Sequence, residues 1–137
     1  MSVNWVMLIP SLVFTRVKTN FSQTIKDKYS MTDKNFSTVG SSDTPAVFPF
    51  VYVQTLPGAE QGIDMQGVSV NAGMFSFQID VYSNKTQTEA RNVMSEVRRI
   101  MKEMGFECNQ MPSFENTKDV HRMTARFRRL IGACDKL

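Results

Sequence analysis

The sequence predicts an α+β domain, with a single mixed, mostly antiparallel sheet of about four strands and two helices packed on one face. Three observations support this fold class. Apolar and polar residues alternate at 73–83, a helical apolar period follows at 86–104, and further β-type segments flank this pair on both sides. Since 137 residues suffice for one domain and its core, we expect 1–137 to form a single domain.

The first predicted helix follows Pro10, a residue that suits the first turn of a helix. Apolar residues then recur at helical spacing, at Val13, Phe14, Val17, Phe21 and Ile25. The helix is expected to end near Tyr29.

Residues 1–9 precede this helix as an uncharged, largely apolar segment that contains Trp5. A signal peptide is not expected, because a basic start is missing. A membrane span needs about 20 apolar residues, and Asn4 and Pro10 interrupt this run. We therefore expect a buried or partner-docking N-terminal segment at 1–9, and no membrane contact.

A polar stretch and a strand follow the first helix. Residues 30–45 are rich in Ser, Thr, Asp, Asn and Lys, which predicts a surface loop with a short strand near 36–39. The segment 46–55 is rich in Val, Phe and Tyr and is predicted to be a strand. Pro49 cannot donate to a neighbouring strand, so an edge position or a bulge is expected there.

A long loop is predicted at 56–72, because Gly and Pro recur there and bulky side chains are few. Loops of this length inside a small domain are commonly functional or disordered. This segment is therefore a candidate for contact with a partner.

The centre of the chain carries the clearest pattern, a strand at 73–83 followed by a helix that ends before Gly105. The apolar face of the strand holds Phe75, Phe77, Ile79 and Val81, and its polar face holds Ser76, Gln78, Asp80 and Tyr82. Thr86 and Glu89 form a capping-box pattern at the helix start. The apolar stripe of the helix comprises Ala90, Val93, Met94, Val97, Ile100, Met101 and Met104.

Two further strands are predicted after this helix. The first, at 106–115, is weak because it contains Pro112. A turn is expected at 116–119, and the closing strand covers 120–131. The predicted order is helix, strand, long loop, strand, helix, strand, turn and strand.

The closing strand has an arginine-rich face, which we call the arginine ridge: Arg122, Arg126 and Arg128, with Arg129 beside them. Side chains two residues apart on one face lie about 7 Å from each other, which predicts a continuous basic surface. Such a surface suits carboxylates of a protein partner or phosphates of DNA, and a solvated outer face is also compatible with it. A net charge of +3 is low for a nucleic-acid binder and favours a protein partner.

Enzyme activity is not expected from this sequence. His121 is the only histidine, and it alternates with apolar residues of the closing strand, where a structural role is more common than general-base catalysis. The glycine-rich phosphate loops and nucleophile elbows of common enzyme classes do not occur.

Metal and cofactor sites are not expected either. Cys108 and Cys134 are too few for a disulfide framework and lack the spacing of a zinc site. We expect both to be reduced, in a protein made in a cytosol.

Four segments carry a family resemblance: an N-terminal helix, the strand AVFPFVYVQ after a polar loop, the strand-to-helix unit FSFQIDVYSNKTQTEARNVMSEVRRIMKEMGF, and the closing strand HRMTARFRRLIG. Together they span about residues 10–132. In this order they resemble the tail terminator, or tail completion, proteins of long-tailed bacteriophages.

The resemblance implies a ring, commonly of six subunits, that caps the tail tube, ends its polymerisation and joins it to the head connector at the neck. Such a protein is assembled into virions in the cytoplasm of the host bacterium, and DNA passes through its lumen without specific binding. Head-to-tail subunit contacts need exposed edges, loops and interspersed charges. The residues expected at subunit or partner interfaces are Trp5, Pro57, Gly58, Glu60, Gln61, Gly62, Asp64, Arg122, Arg126, Arg128 and Arg129.

Two alternatives remain open at this stage. Another head-tail joining protein of the same virion would share the fold class. A small basic nucleic-acid-binding module would use the arginine ridge and would bind generic DNA with an affinity that falls steeply as salt rises.

Overall fold

The computed structural model describes residues 4–38, 48–63, 70–116 and 120–132. Its helices are α1 (Asn4–Thr19), α2 (Gln23–Lys28) and α3 (Gln87–Glu103), with a 3-10 turn at Asp33–Asn35. Its strands are β1 (Phe36–Ser37), β2 (Phe50–Ile63), β3 (Val70–Ser83), β4 (Glu107–Asn116) and β5 (His121–Gly132).

The described strands form one mixed sheet in the order β1-β2-β3-β5-β4. β1 runs parallel to β2, whereas the β2–β3, β3–β5 and β4–β5 pairs are antiparallel. The predicted fold class, a single mixed and mostly antiparallel sheet with helices, is therefore confirmed. The short strand predicted near 36–39 is present as β1.

The hydrophobic core lies between the helices and one face of the sheet, which we call the inner face. The alternation in β3 is confirmed, since Phe75, Phe77, Ile79 and Val81 are all buried there. They join one cluster with Val13 and the rest of the buried side of α1. The whole predicted stripe of α3 is buried in the same cluster: Ala90, Val93, Met94, Val97, Ile100, Met101 and Met104.

Both ends of α3 match the sequence prediction. The hydroxyl of Thr86 accepts a hydrogen bond from the backbone N–H of Glu89 at 3.1 Å. At the other end the N–H of Phe106 donates to the carbonyl of Met101, and Gly105 has φ +84°. This is the Schellman arrangement, in which glycine avoids the strain of a left-handed backbone.

The first helix differs from the prediction, because the structure has two helices where the sequence predicts one up to Tyr29. The helices α1 and α2 are separated at residues 20–22, and Phe21 in this break is buried. Its ring packs edge-to-face on Phe36 of β1, with the ring centroids 5.2 Å apart. The chain turns here because this ring enters the core next to the sheet.

The predicted N-terminal segment is part of the first helix as far as the structure describes it. Residues 4–9 belong to α1, so Pro10 lies inside the helix instead of in its first turn, and residues 1–3 lie outside the described residues. Ile9 is buried in the core and Leu8 is 65% exposed. The buried stripe of α1 includes Ile9, which precedes Pro10. Burial of this stripe favours a continuous helix, although Pro10 has no backbone N–H to donate.

The predicted loop at 56–72 is wrong for most of its length. β2 continues to Ile63 and β3 begins at Val70, so the two strands form a long hairpin, and residues 64–69 lie outside the described residues. The register shifts between Leu56 and Ala59. This irregularity accommodates Pro57 and Gly58 within the strand. In the sequence, the same pair favoured a loop and led to a strand end that was predicted too early.

The remaining strands follow the prediction closely. β4 and β5 occupy the two segments predicted after α3, and β5 lies between β3 and β4. Residues 117–119 of the predicted turn lie outside the described residues. Pro49 immediately precedes β2, and its carbonyl accepts a hydrogen bond from the buried Asn35 side chain at 2.6 Å.

Candidate functional site

The sheet has a second face, which we call the outer face, on which no described helix packs. Most of its side chains are half-buried or exposed, as expected for the solvent-facing side of an antiparallel sheet. Those contributed by β2 and β3 are Tyr52, Gln54, Leu56, Met74, Ser76, Gln78 and Tyr82. Those contributed by β5 are Arg122, Arg126, Arg128 and Leu130.

Arg122 is held in a cross-strand network on this face. Its Nη2 lies 3.1 Å from Oδ2 of Asp80, and Thr124 donates its hydroxyl to Oδ1 of the same carboxylate at 2.7 Å. The guanidinium also lies 5.7 Å from the centre of the Tyr82 ring. Asp80 is only 1% exposed, so its neighbours enclose this carboxylate. Its bonds to Arg122 and Thr124 link β3 to β5.

Arg126 and Arg128 are the exposed members of the arginine ridge. Nε of Arg126 donates to the side-chain oxygen of Gln78 at 3.0 Å. In the sheet register Arg128 lies opposite Ser76 of β3 and Glu107 of β4. These two guanidinium groups are exposed beside the half-exposed Leu130, so a partner can reach them.

Arg129 does not belong to the ridge. It lies on the inner face of β5, and its Nη1 donates to the backbone carbonyl of Met104 at 2.7 Å. Its Nε would lie 3.1 Å from a Cβ placed on Gly105. Because cations stabilise the carbonyl end of a helix, Arg129 acts as a cap for α3.

The other predicted interface residues are distributed over two elements. Trp5 lies in α1, and five lie in β2: Pro57, Gly58, Glu60, Gln61 and Gly62. Asp64 lies outside the described residues. Since β3 separates β2 from β5, these β2 residues and the exposed arginines are two strand spacings apart, about 10 Å, and do not form one cluster.

A groove that the sequence did not predict lies between α3 and β4, with a volume of about 620 Å³. Its lining residues are Ser95, Arg98, Arg99, Lys102, Phe106, Glu107, Cys108 and Phe127. In sequence, Arg98, Arg99 and Lys102 of α3 are interspersed with Glu96 and Glu103, a mixed-charge pattern typical of a solvated helix face. The spacing of Arg98 and Lys102, four residues apart on one side of the helix, is the signal that could have indicated it.

Arg99 at this groove is engaged within the fold. It forms ion pairs with Glu96 and with Glu103, the latter at 2.7 Å, and Nη2 donates to the carbonyl of Asn20 at 3.0 Å. The hydrogen bond that Arg99 donates to the Glu96 carboxylate raises the pKa of Arg99 above its ordinary value. Arg99 therefore links α3 to the end of α1.

Groups that could support chemistry are sparse in the part of the chain that the structure describes. His121 is half-buried at the start of β5, and Cys108 is half-buried in the groove. Within the described ranges no three His, Cys, Asp or Glu side chains are close enough to hold a metal ion. None of the described helices combines the length and hydropathy needed to cross a bilayer.

The arrangement is therefore one of surfaces: an outer face with two exposed arginines, a long β2–β3 hairpin at one side of the sheet, and a basic groove at the other. Compared with protein-family models and with curated proteins, the sequence matches none of them.

Proposed function

We propose that the protein is a structural virion protein that caps the tail tube of a long-tailed bacteriophage as a ring. In this role it ends tail polymerisation and forms the joint to the head connector, and it is not an enzyme. The observation that carries the proposal is that, in the described part of the chain, the helices pack on one face of a single sheet and the sheet has open edges. The family resemblance of the four sequence segments supports the same function.

Unpaired strand edges favour assembly of copies. β1 pairs with β2 only at Val51 and Tyr52, so among the described residues the outer edge of β2 is unpaired from Val53 onward. β4 pairs with β5 on one side, and no described strand pairs with its other edge. Open edges are templates for pairing with another chain, and head-to-tail contacts that close by rotation make a ring.

The outer face suits a contact with the tail tube protein or with the head-completion protein. It offers Arg126 and Arg128 beside Leu130, which is 50% exposed. Arginine and apolar groups together are typical of protein interfaces. A ring of about six copies would present this basic face repeatedly around a lumen through which DNA passes without specific binding.

The experiment adds the purified protein to growing tail tubes made from the tube protein of the same phage. We expect elongation to stop and rings to appear at tube ends in electron micrographs. Arg126→Glu/Arg128→Glu should reduce capping, because it reverses the exposed charges of the outer face. Lys34→Glu/Lys85→Glu is the matched control, since it changes the same net charge at exposed positions elsewhere.

The capping proposal would be wrong if tubes elongated unchanged and the protein were never found at their ends. Full capping by the Arg126→Glu/Arg128→Glu variant would instead reject the outer face as the contact surface. Circular dichroism of each variant shows whether a loss of capping reflects a loss of folding.

The exposure of Arg126 and Arg128 also supports a second candidate, a basic nucleic-acid-binding module. It predicts binding to generic DNA that weakens steeply with salt and weakens alike for all sequences in Arg126→Ala/Arg128→Ala. The absence of binding at low salt would exclude this candidate. A different head-tail joining protein is a third candidate. The tube experiment distinguishes it from a terminator, because a terminator binds the tail tube and a different joining protein binds another partner.

A further inference from the structure

The groove between α3 and β4 has a basic wall. Arg98 and Lys102 are exposed and lie four residues apart on α3, at the mouth of the groove. Among the side chains that the structure describes, neither forms an ion pair, whereas Arg99 beside them has two. The wall therefore presents two positive charges that the fold itself does not neutralise.

The floor of the groove is apolar, and its rim is a strand edge. The rings of Phe106 and Phe127 line it from the core side, and the half-buried Cys108 of β4 lies between helix and strand. The edge of β4 that faces away from β5 has no described partner strand. A segment entering here can add backbone hydrogen bonds to β4 and place a carboxylate against the wall.

The opposite side of the sheet has the complementary charge. No Lys or Arg occurs between Lys34 and Lys85, a stretch that includes the whole β2–β3 hairpin. Within the described part of that hairpin beyond its bulge, the charged residue is Glu60 of β2. The hairpin is therefore acidic, and the outer edge of its β2 strand is unpaired in the described residues beyond Tyr52.

The two complementary surfaces cannot meet within one chain. β2 and β4 are separated by β3 and β5, three strand spacings or about 14 Å. Both lie toward the end of the sheet at which β4 begins, but not at one level: Glu60 is in register with Gly73 and Ile131, and Cys108 is in register with Phe127, four residues or about 13 Å away along β5. A contact between the β2 edge at Glu60 and the groove therefore requires the next copy to be displaced by about that distance along the strands.

The strand directions also agree with this contact. Each of the pairs β2–β3, β3–β5 and β5–β4 is antiparallel, so β2 and β4 run in opposite directions. If two copies continue one sheet side by side, β2 of one copy meets β4 of the next as an antiparallel pair. Antiparallel pairing is slightly more stable per residue than parallel pairing.

We propose that a second copy of this chain occupies the groove, with its acidic β2 edge and Glu60 beside β4 and with its charge paired to Arg98 and Lys102. This inference rests on the proposed ring and names the subunit contact that would build it. The contact is head-to-tail, because each copy uses a different surface toward each of its two neighbours, and repetition with rotation closes a ring.

A charge-swap experiment on the full chain tests this contact. Sedimentation velocity at low salt measures self-association of the wild type, of Glu60→Lys, of Arg98→Glu/Lys102→Glu, and of the chain that carries all three changes. Like charges across an interface are strongly unfavourable, so each of the first two variants should associate at least about tenfold more weakly. The combined variant should recover most of the loss, and Lys34→Glu/Lys85→Glu should associate like the wild type.

A cross-link supplies a second readout that does not depend on charge. In a Cys134→Ser background, Glu60→Cys and the native Cys108 of the neighbouring copy should be joined by a short bismaleimide. The product should be a ladder of covalent oligomers that ends at the ring number. The ladder should vanish when Cys108→Ser is added, because the acceptor in the groove is then removed.

The association, cross-linking and capping results together test the groove contact and the proposed function separately. A wild type that stays monomeric at its highest soluble concentration, or a combined variant without recovery, would overturn the groove contact. Tube capping by Arg98→Glu/Lys102→Glu at the wild-type level would also overturn it and would leave the proposed function intact. Charge-dependent association and a Cys108-dependent ladder in a protein that never caps tubes would support the groove contact and overturn the proposed function.

Discussion

At the scale of single residues, the arginines of the closing strand have three different roles. Arg122 is bound to the buried carboxylate of Asp80, Arg126 and Arg128 are exposed, and Arg129 caps a helix. The sequence places all four on or beside one strand but cannot distinguish these roles. The difference arises from what lies across the sheet from each position.

We expect Asp80→Ala to lower the free energy of unfolding by about 2–3 kcal/mol, because it leaves Arg122 and Thr124 without their shared acceptor. Asp80→Asn should cost less, since its amide oxygen can still accept from Thr124. Urea unfolding measures both. Ser76→Ala, on the same face of the same strand but less buried, is the control and should cost at most about 0.5 kcal/mol. An equal loss in Ser76→Ala and Asp80→Ala would contradict a special role for the carboxylate.

Gly105→Val should destabilise the fold by about 1–2 kcal/mol through its left-handed backbone alone. A further loss is expected because a Cβ there would lie 3.1 Å from Nε of Arg129. Thermal unfolding of Gly105→Asn provides the comparison, since asparagine tolerates positive φ but still carries a Cβ. If valine and asparagine lowered the melting temperature equally, backbone strain would not be the main cause.

At the scale of elements, the β3–α3 unit organises the core. The inner side of β3 and the stripe of α3 are buried without exception, and α3 also contacts β4 and β5. Caps at both ends define its length from local sequence alone. The β2–β3 hairpin is different, because its length depends on pairing between strands and not on local pattern.

Val97→Asp should lower the free energy of unfolding by about 4 kcal/mol or more, since it places a charge at a fully buried position of α3. Far-UV circular dichroism during thermal unfolding would measure the effect. Ser95→Asp, which is exposed on the same helix, is the matched control and should change stability little. Equal melting temperatures for the wild type and Val97→Asp would mean that this face of α3 does not carry the core.

At the scale of the whole molecule, charge is distributed unevenly across the sheet. The β2–β3 hairpin lacks basic residues, whereas the groove between α3 and β4 presents Arg98 and Lys102 alongside the carboxylate of Glu107. A small domain with opposite charges at opposite edges favours ordered head-to-tail association over random contact. Both the proposed ring and its proposed subunit contact depend on this distribution.

Self-association should therefore weaken as salt rises from low to physiological concentration, because exposed charge pairs are screened over about 8–10 Å. Sedimentation at a series of salt concentrations measures this dependence, with the melting temperature followed in parallel as a control for folding. Association that strengthened with salt would indicate an apolar contact, for example through the exposed Leu8 and Leu12, in place of a charged one.

Much of the fold was predictable because it follows from local patterns. The alternation at Phe75–Val81 defines β3, and the Thr86 cap, the apolar stripe and Gly105 define α3 to within a residue. The break at Phe21 was not predictable, because it depends on a contact with Phe36. The extension of β2 past Pro57 was also missed, since a bulge becomes visible only when the partner strand is known.

By itself the sequence determined which residues are buried in the strand and helix at the centre of the chain, because side-chain periodicity is a property of the local backbone. The tertiary structure decided that Asp80 is covered, that Arg129 caps α3 and that a basic groove forms beside β4. These features join residues from strands and helices that are distant along the chain. Register and packing bring them together, and no local pattern encodes either.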